Sequence, residues 1–287
     1  MTPSPWRQVH VTFPDWATAE HDAVAHLGPL LATAEVEGLV ESWFFIRKSP
    51  SWRLRYQPAS ASPDADAATE RLVTLGSAHD LDITAGIVYE PETHAFGGHK
   101  AMAGAHRLFH RDSHHLLSHL ALPPNGTSSH RRELSILLCT ALLRAAGLDW
   151  YEQGDVWARV ADHRDRPDHI PPDGLPALQN SLQRLMSANV THLTSNGGSL
   201  AFAADWTRAY TGAGQELAAL AATGQLHRGL RAVLAHHIIF AWNRHGLPHT
   251  TQGALAHVAK SVVFGTDPAA SSEPPQGGEP CTTPARR

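Results

Sequence analysis

The sequence predicts an α+β fold in which an N-terminal split βαββαβ unit packs against a larger, mainly helical part. Three observations carry this. Val9, Val11 and Phe13 alternate with polar residues, two apolar runs flank Lys48 to Ser51, and helical spacing takes over after Gly97 and Gly98. The first strand spans Trp6 to Phe13. A helix follows, with Asp15 as its cap and Ala19, Ala23, Leu27, Leu30 and Leu31 as its apolar stripe. Two strands joined by a tight turn cover Trp43 to Arg55, a helix runs from about Asp64 to Leu75, and a strand runs from Ile83 to Tyr89. In that order, two helices cover one face of an antiparallel sheet, a ferredoxin-like arrangement. The other face carries aromatic side chains and needs a second domain or a bound peptide to cover it.

The expected division is residues 1–96 as a ferredoxin-like, peptide-gripping region, 97–267 as a mainly helical catalytic region and 268–287 as a disordered tail. Helices are expected at Met102–Leu120, Arg132–Ala146, Leu175–Ala188, Trp206–Leu220, Leu226–Arg244 and Thr251–Phe264. Pro123 to Gly126 break the first pair, and Gly246 and Pro248 end the long late helix. Asp149, Trp150, Tyr151 and Trp157 read more readily as a packed aromatic loop than as a substrate cradle. Arg164 to Gly174 reads as a surface loop. The tail, rich in Pro, Gly and Ser, has no apolar face.

The chain has 287 residues, 42% of them hydrophobic, enough for a substantial core. Its 23 Lys and Arg against 27 Asp and Glu leave a net charge of -4, which argues against direct nucleic-acid binding. Two Cys exclude a disulfide scaffold or a Cys-rich metal site. The 21 His residues include the pairs His114–His115 and His236–His237 but no multi-ligand tract of the structural-zinc kind. No apolar run reaches membrane length and the start has no secretory pattern, so a cytoplasmic protein without membrane association is expected. Gly-rich phosphate loops, a Gly-x-Ser-x-Gly elbow and a His-Glu-x-x-His helix are all missing, and no metal, nucleotide or redox cofactor is expected.

Arg53 and Arg55 share one strand face. Their guanidinium forks suit a carboxylate, a peptide carbonyl or a phosphate, although a solvent-facing strand with Leu54 buried accounts for the same residues. Arg47 lies on the preceding strand. At the exit from the last strand, Tyr89, Glu90 and Glu92 offer a phenol and two carboxylates that can pair with the arginines or exchange protons, or form an ordinary solvated turn. Phe96 follows. Asp112 and Ser113 either cap locally or line the domain junction with His110. In the late helix, His236, His237, Trp242, Asn243 and Arg244 form a polar stripe for which a surface position is the simpler account.

Four segments together resemble one family: Trp43–Arg55 (Trp-Phe-Phe-Ile-Arg-Lys-x-Pro-x-Trp-Arg-Leu-Arg), Tyr89–Gly98 (Tyr-Glu-Pro-Glu-x-x-x-Phe-Gly-Gly), Leu108–Ser113 (Leu-Phe-x-x-Asp-Ser) and Phe240–Arg244 (Phe-x-Trp-Asn-Arg). The chain resembles the thiopeptide-type bacteriocin biosynthesis family, itself similar to the C-terminal elimination domain of lanthipeptide dehydratases, from about Trp6 to Phe264. The resemblance implies action on a modified ribosomal precursor peptide that carries a leader, possible association with other enzymes of its pathway, and one of two chemistries that a shared fold does not separate. One eliminates glutamate from glutamylated Ser or Thr. The other, that of thiopeptide pyridine synthases, joins two dehydroalanines by a formal aza-cycloaddition and then loses water and the leader.

Elimination domains of this kind place Arg before the aromatic-Gly-Gly and His four residues before the late Asn-Arg. This chain has Ala95 and Ile239 there, which favours the pyridine-synthase reading, with noncatalytic peptide binding as a third. On that resemblance Tyr89, Glu90, Glu92, His237 and Asn243 are the expected catalytic residues. Arg47, Arg53, Arg55, Phe96, Asp112, Ser113, Asp149, Trp150, Trp157, Trp242 and Arg244 are the expected substrate contacts.

Overall fold

The computed structural model describes residues 6–59, 67–122, 130–165 and 174–265. Four strands, β1 (Arg7–Thr12), β2 (Val40–Lys48), β3 (Ser51–Pro58) and β4 (Asp82–Ile87), form one sheet in the order β2-β3-β1-β4 with every neighbour antiparallel. Helical residues fill the crossovers: α1 (Ala19–Asp22), a π-helical turn (Ala23–Leu27) and α2 (Gly28–Val36) before β2, and α3 (Ala67–Ala78) before β4. This is the expected split βαββαβ unit within an α+β fold.

Period two divides the sheet. Val9, Val11, Trp43, Phe45, Trp52, Leu54 and Tyr56 join Ala23, Leu27, Leu31, Ala68 and Leu72 in the main core. The opposite parity sends Gln8, His10, Phe44, Ile46, Arg53 and Arg55 to the other face. There Phe44 and Ile46 form a second apolar cluster with Trp6, Tyr89, Phe96, Met102, Ala105 and Phe109. Each large aromatic side chain buried in this way contributes about 2 kcal/mol of transfer free energy.

The remainder is helical: α4 (His99–Leu120), α5 (Arg131–Ala145), α6 (Trp150–Ala161), α7 (Gly174–Ser187), the short α8 (Val190–Leu193), a 3-10 turn (Ala201–Ala203), α9 (Ala204–Ala222), α10 (Leu230–Arg244) and α11 (His249–Phe264). Helix α4 covers the aromatic face at β2 and also seals that edge of the sheet. The Ser113 hydroxyl lies 3.3 Å from the Phe45 backbone N–H, and His110 Nδ1 lies 3.1 Å from the Trp43 carbonyl.

Several boundaries differ from expectation. Asp15 caps a turn ahead of the first helix, accepting from the Ala17 N–H at 2.9 Å. That helix then widens into a π turn just before Pro29, which has no N–H for the α ladder. The segment expected to be a packed loop around Trp150 is helix α6. Its Asp149 cap and Glu152 satisfy each other's backbone N–H groups in a capping box. The last strand ends at Ile87, leaving Tyr89 on the loop, and α10 begins at Leu230. The start of the helix placed at Asp64, the break at Pro123 to Gly126, most of the loop from Arg164 to Gly174 and the tail 268–287 lie outside the described residues.

Candidate active site

A cavity of about 1310 Å³ opens where the end of the sheet meets the first turns of α4. Strand β1 contributes Gln8 and, just before the strand begins, Trp6; the end of β4 and its loop contribute Gly86 to Glu90 together with Thr93 and His94, and α4 contributes Met102, Ala103 and His106. His227 closes the rim. Its N–H donates to the Gly97 carbonyl at 2.8 Å, so the loop before α10 is tied to the turn before α4. That turn depends on left-handed backbone at Gly97 (φ 86°) and Gly98 (φ 108°).

Tyr89 and His106 meet at the cavity wall. The phenol oxygen and His106 Nε2 are hydrogen-bonded at 2.9 Å, either group donating according to the tautomer of the imidazole. Trp6 lies against the His106 ring with centroids 4.4 Å apart. Burial, reinforced by Arg55, pushes the His106 imidazolium down to about 4, and burial raises the Tyr89 phenol above its ordinary value. Both groups are therefore neutral near pH 7, a polar pair that can pass a proton without carrying a charge.

Arg55 stands directly behind this pair. Its Nε donates to Gln8 Oε1 at 2.8 Å, and its guanidinium carbon lies 4.3 Å from the Tyr89 ring centroid and 5.5 Å from that of Phe44. Glu92 approaches to 3.9 Å. Burial lowers the Arg55 pKa, a shift opposed by Tyr89 and Glu92, and the arginine remains a cation. Arg55 Nη1 and Glu92 Oε2 are buried behind the cavity wall without a protein hydrogen-bond partner. Arg53, half-buried on the same strand face, faces His10, whose pKa falls through burial and then through Arg53 and Arg55.

Residues 6–263 match the family model described as the C-terminal part of lantibiotic biosynthesis dehydratase. The chain belongs to that family. The fold agrees with two crystal structures. One is the tRNA-dependent lantibiotic dehydratase MibB from Microbispora sp. 107891, at TM-score 0.65 and 20% identity over 92% of this chain and 28% of MibB. The other is TsrL, at TM-score 0.56 and 16% identity over 92% of this chain and 97% of TsrL. The chain thus spans little more than a quarter of the dehydratase. No curated protein matches the sequence.

In this member of the lantibiotic dehydratase C-terminal family, Tyr89 and Glu90 line the cavity, with Arg55 and Glu92 immediately behind. The other candidates are dispersed. His237 is fully buried, its ring 4.9 Å from that of Phe96 and 5.9 Å from that of Phe109, and burial pushes its imidazolium down to about 3. It borders a separate void of about 10 Å³, room for one water, and the α10 stripe expected at the surface is instead buried at His237, Trp242 and Arg244. Asp112 is wholly buried. It accepts from Trp206 Nε1 at 2.7 Å, the Tyr210 hydroxyl at 2.8 Å, Arg244 Nε at 2.5 Å and His245 at 3.3 Å. Asp112 and Arg244 thus tie α4, α9 and α10 together, while Ser113 serves the β2 edge.

Arg47 is buried over the Trp52 ring, paired with Glu20, which Arg131 also contacts. Phe96 belongs to the second core cluster. Trp157 and Trp242 stack on each other at 5.9 Å, Asn243 accepts from Gln252, and Asp149 and Trp150 begin α6. His106 was not among the sequence candidates. The only signal was its place about one helical turn before Phe109 on the buried stripe of α4, where an apolar residue is the ordinary occupant. Among the described residues no group of three or more His, Cys, Asp or Glu is arranged to hold a metal.

Proposed function

We propose that the protein is a thiopeptide pyridine synthase, acting on a leader-bearing precursor peptide that contains two dehydroalanines. The observation that carries this reading is the neutral Tyr89–His106 pair in the wall of a cavity of about 1310 Å³, with the late-helix His237 sealed away and Ile239 where an eliminating His is expected. A cavity of that volume accommodates a folded-back peptide.

In the first step the amide proton beside one dehydroalanine moves to the amide oxygen, which creates the 2-azadiene. Tyr89 gives its proton to that oxygen and recovers the amide N–H proton, while His106, in the tautomer protonated at Nε2, hydrogen-bonds to the phenol oxygen and stabilises its transient charge, so both groups end neutral. The methylene carbon of this dehydroalanine and the former carbonyl carbon then bond to the two alkene carbons of the second dehydroalanine. Loss of water and of the leader as its amide leaves the pyridine, so the sequence needs no oxidant. Little charge develops, and orientation supplies most of the acceleration. Glu90 and Glu92 serve the proton transfers of water loss, and Arg55 fixes the Tyr89 ring. The sheet region grips the peptide and the helical region holds its reacting end. Such a protein works in the cytoplasm beside the enzymes that dehydrate its substrate.

Glutamate elimination is the second reading, favoured by Arg53 and Arg55 on one strand face. Intact-mass analysis separates the two. The purified protein is incubated with a multiply dehydrated, azole-bearing precursor and, separately, with a glutamylated one. Loss of water together with the leader from the first supports the synthase. Loss of glutamate from the second, with the leader retained, overturns it in favour of elimination, and tight binding without a mass change points to a recognition protein.

A further inference from the structure

The two edges of the sheet are treated differently. The β2 edge is covered by α4, with Ser113 and His110 serving the Phe45 and Trp43 backbone. The β4 edge has no such cover among the described residues. Strand β4 is outermost, none of its six residues is buried, and Asp-Ile-Thr-Ala-Gly-Ile contains no Lys, Arg or Pro of the kind that guards an edge. Six residues present about 20 Å of backbone. The edge runs straight into the active-site cavity: Gly86, Ile87 and Val88 line it, and Val88 is 81% exposed. The pairing with β1 slips by one residue between Gln8 and His10. On β4 the slip falls near Gly86 at φ 76°, a bulge that re-aims the strand end where the cavity begins.

We propose that β4 takes up an extended stretch of the substrate peptide as a fifth strand, and that the added strand delivers the reacting residues into the cavity. This rests on the reading above that the substrate is a peptide. Recognition through backbone N–H and C=O groups tolerates varied side chains, which suits a substrate whose side chains have already been modified. Asp82 and Glu90 bracket the edge, so the stretch it accepts is uncharged or basic.

The test is binding, independent of turnover. A short fluorescent peptide with a dehydroalanine at one end and an uncharged Ser/Thr/Val stretch is N-methylated one position at a time, and its affinity for the full chain is read by anisotropy. Losses of roughly ten-fold at alternate positions, with little change between them, are expected of an added strand, which directs every second N–H toward its neighbour. Hydrogen exchange should show added protection at Asp82–Ile87. Replacing the uncharged stretch by an acidic one should weaken binding. Methylation losses without period two, or protection that avoids β4, overturn the proposal even if cyclisation proceeds. So does sedimentation showing a dimer joined through this edge. An enzyme that proves to eliminate glutamate yet shows the alternating pattern refutes the cyclisation reading and leaves the added strand standing.

Discussion

Arg55 and Tyr89 are stacked, the guanidinium carbon 4.3 Å from the ring centroid, and this stack holds the phenol against His106. The phenol is the group we expect to donate to the ring-forming amide, so Tyr89→Phe should lower cyclisation by about 10²- to 10⁴-fold, the usual range for a lost proton-transfer group. It also strips His106 Nε2 of its partner, at a cost of about 1–2 kcal/mol. The double variant Tyr89→Phe/His106→Leu should regain much of that stability without regaining activity. Wild-type turnover by Tyr89→Phe, measured by intact mass, would remove Tyr89 from the mechanism.

Arg53 and Arg55 separate the two chemistries. If Arg55 positions Tyr89, Arg55→Lys should be impaired because a lysine ammonium supplies neither the planar stack nor the Nε bond to Gln8. Arg53→Ala should also reduce cyclisation, by less, with folding largely retained. Under elimination both arginines would bind the glutamyl carboxylate, and Arg53→Ala and Arg55→Ala should fail equally, with raised KM for a glutamylated peptide.

Much of the fold was legible because period-two and helical patterns survive in residues such as Val9, Val11 and Trp52, whose burial is decided locally. Helix α6 was obscured because its core-facing Trp157 sits among acidic and aromatic residues that also suit a loop, although the Asp149–Glu152 capping box was visible as a spacing. The site was harder to read. Burial of Asp112 and Arg244 depends on how α4, α9 and α10 cross, and no residue near them in sequence reports that crossing. His106 escaped notice because a His on an apolar stripe differs from a core filler only in what stands opposite it. Here that is Tyr89, 17 residues away along the chain.

Acid should destabilise the protein in a window set by its histidines. Burial lowers the imidazolium of His237 to about 3 and those of His106 and His236 to about 4, whereas an unfolded His titrates near ~6.5. Between those values the unfolded chain binds protons that the folded chain excludes. Stability is therefore complete above about pH 6.5 and declines as pH falls toward 4. Asp112 acts in a lower window, because Arg244 and His245 hold its carboxyl below the usual range against the opposing effect of burial. Denaturant midpoints should be level above pH 7 and fall steadily below 6.5. His237→Phe, which keeps an aromatic ring beside Phe96, should shallow that slope. Equal midpoints at pH 7.5 and 5 would contradict the burial of these rings.

Asp112→Asn should cost about 3–5 kcal/mol, since it leaves the buried Arg244 guanidinium without a counter-charge. Replacing both members with apolar residues of similar size should cost much less, because neither charge is then stranded. Urea unfolding of the single and double variants provides the comparison. A single variant as stable as the parent would mean that Arg244 reaches water.

Gly97 and Gly86 form a matched pair for testing the rim. Both have positive φ, 86° and 76°, so an alanine at either position bears a backbone penalty of about 1 kcal/mol. Their surroundings differ. A Cβ at Gly86 would meet nothing within 4 Å, whereas one at Gly97 would lie 2.6 Å from Leu226 Cδ1 and 3.1 Å from Val233 Cγ2. Leu226 can swing aside, but it precedes His227, whose N–H is bonded to the Gly97 carbonyl and whose side chain lines the cavity. Gly97→Ala should therefore displace the rim loop and lower kcat several-fold beyond its effect on stability, while Gly86→Ala, on the edge that lines the cavity, should raise KM for the peptide with kcat largely retained. Thermal melts and steady-state rates on the two variants read these effects separately. Equal losses of activity would mean that His227 does not shape the cavity.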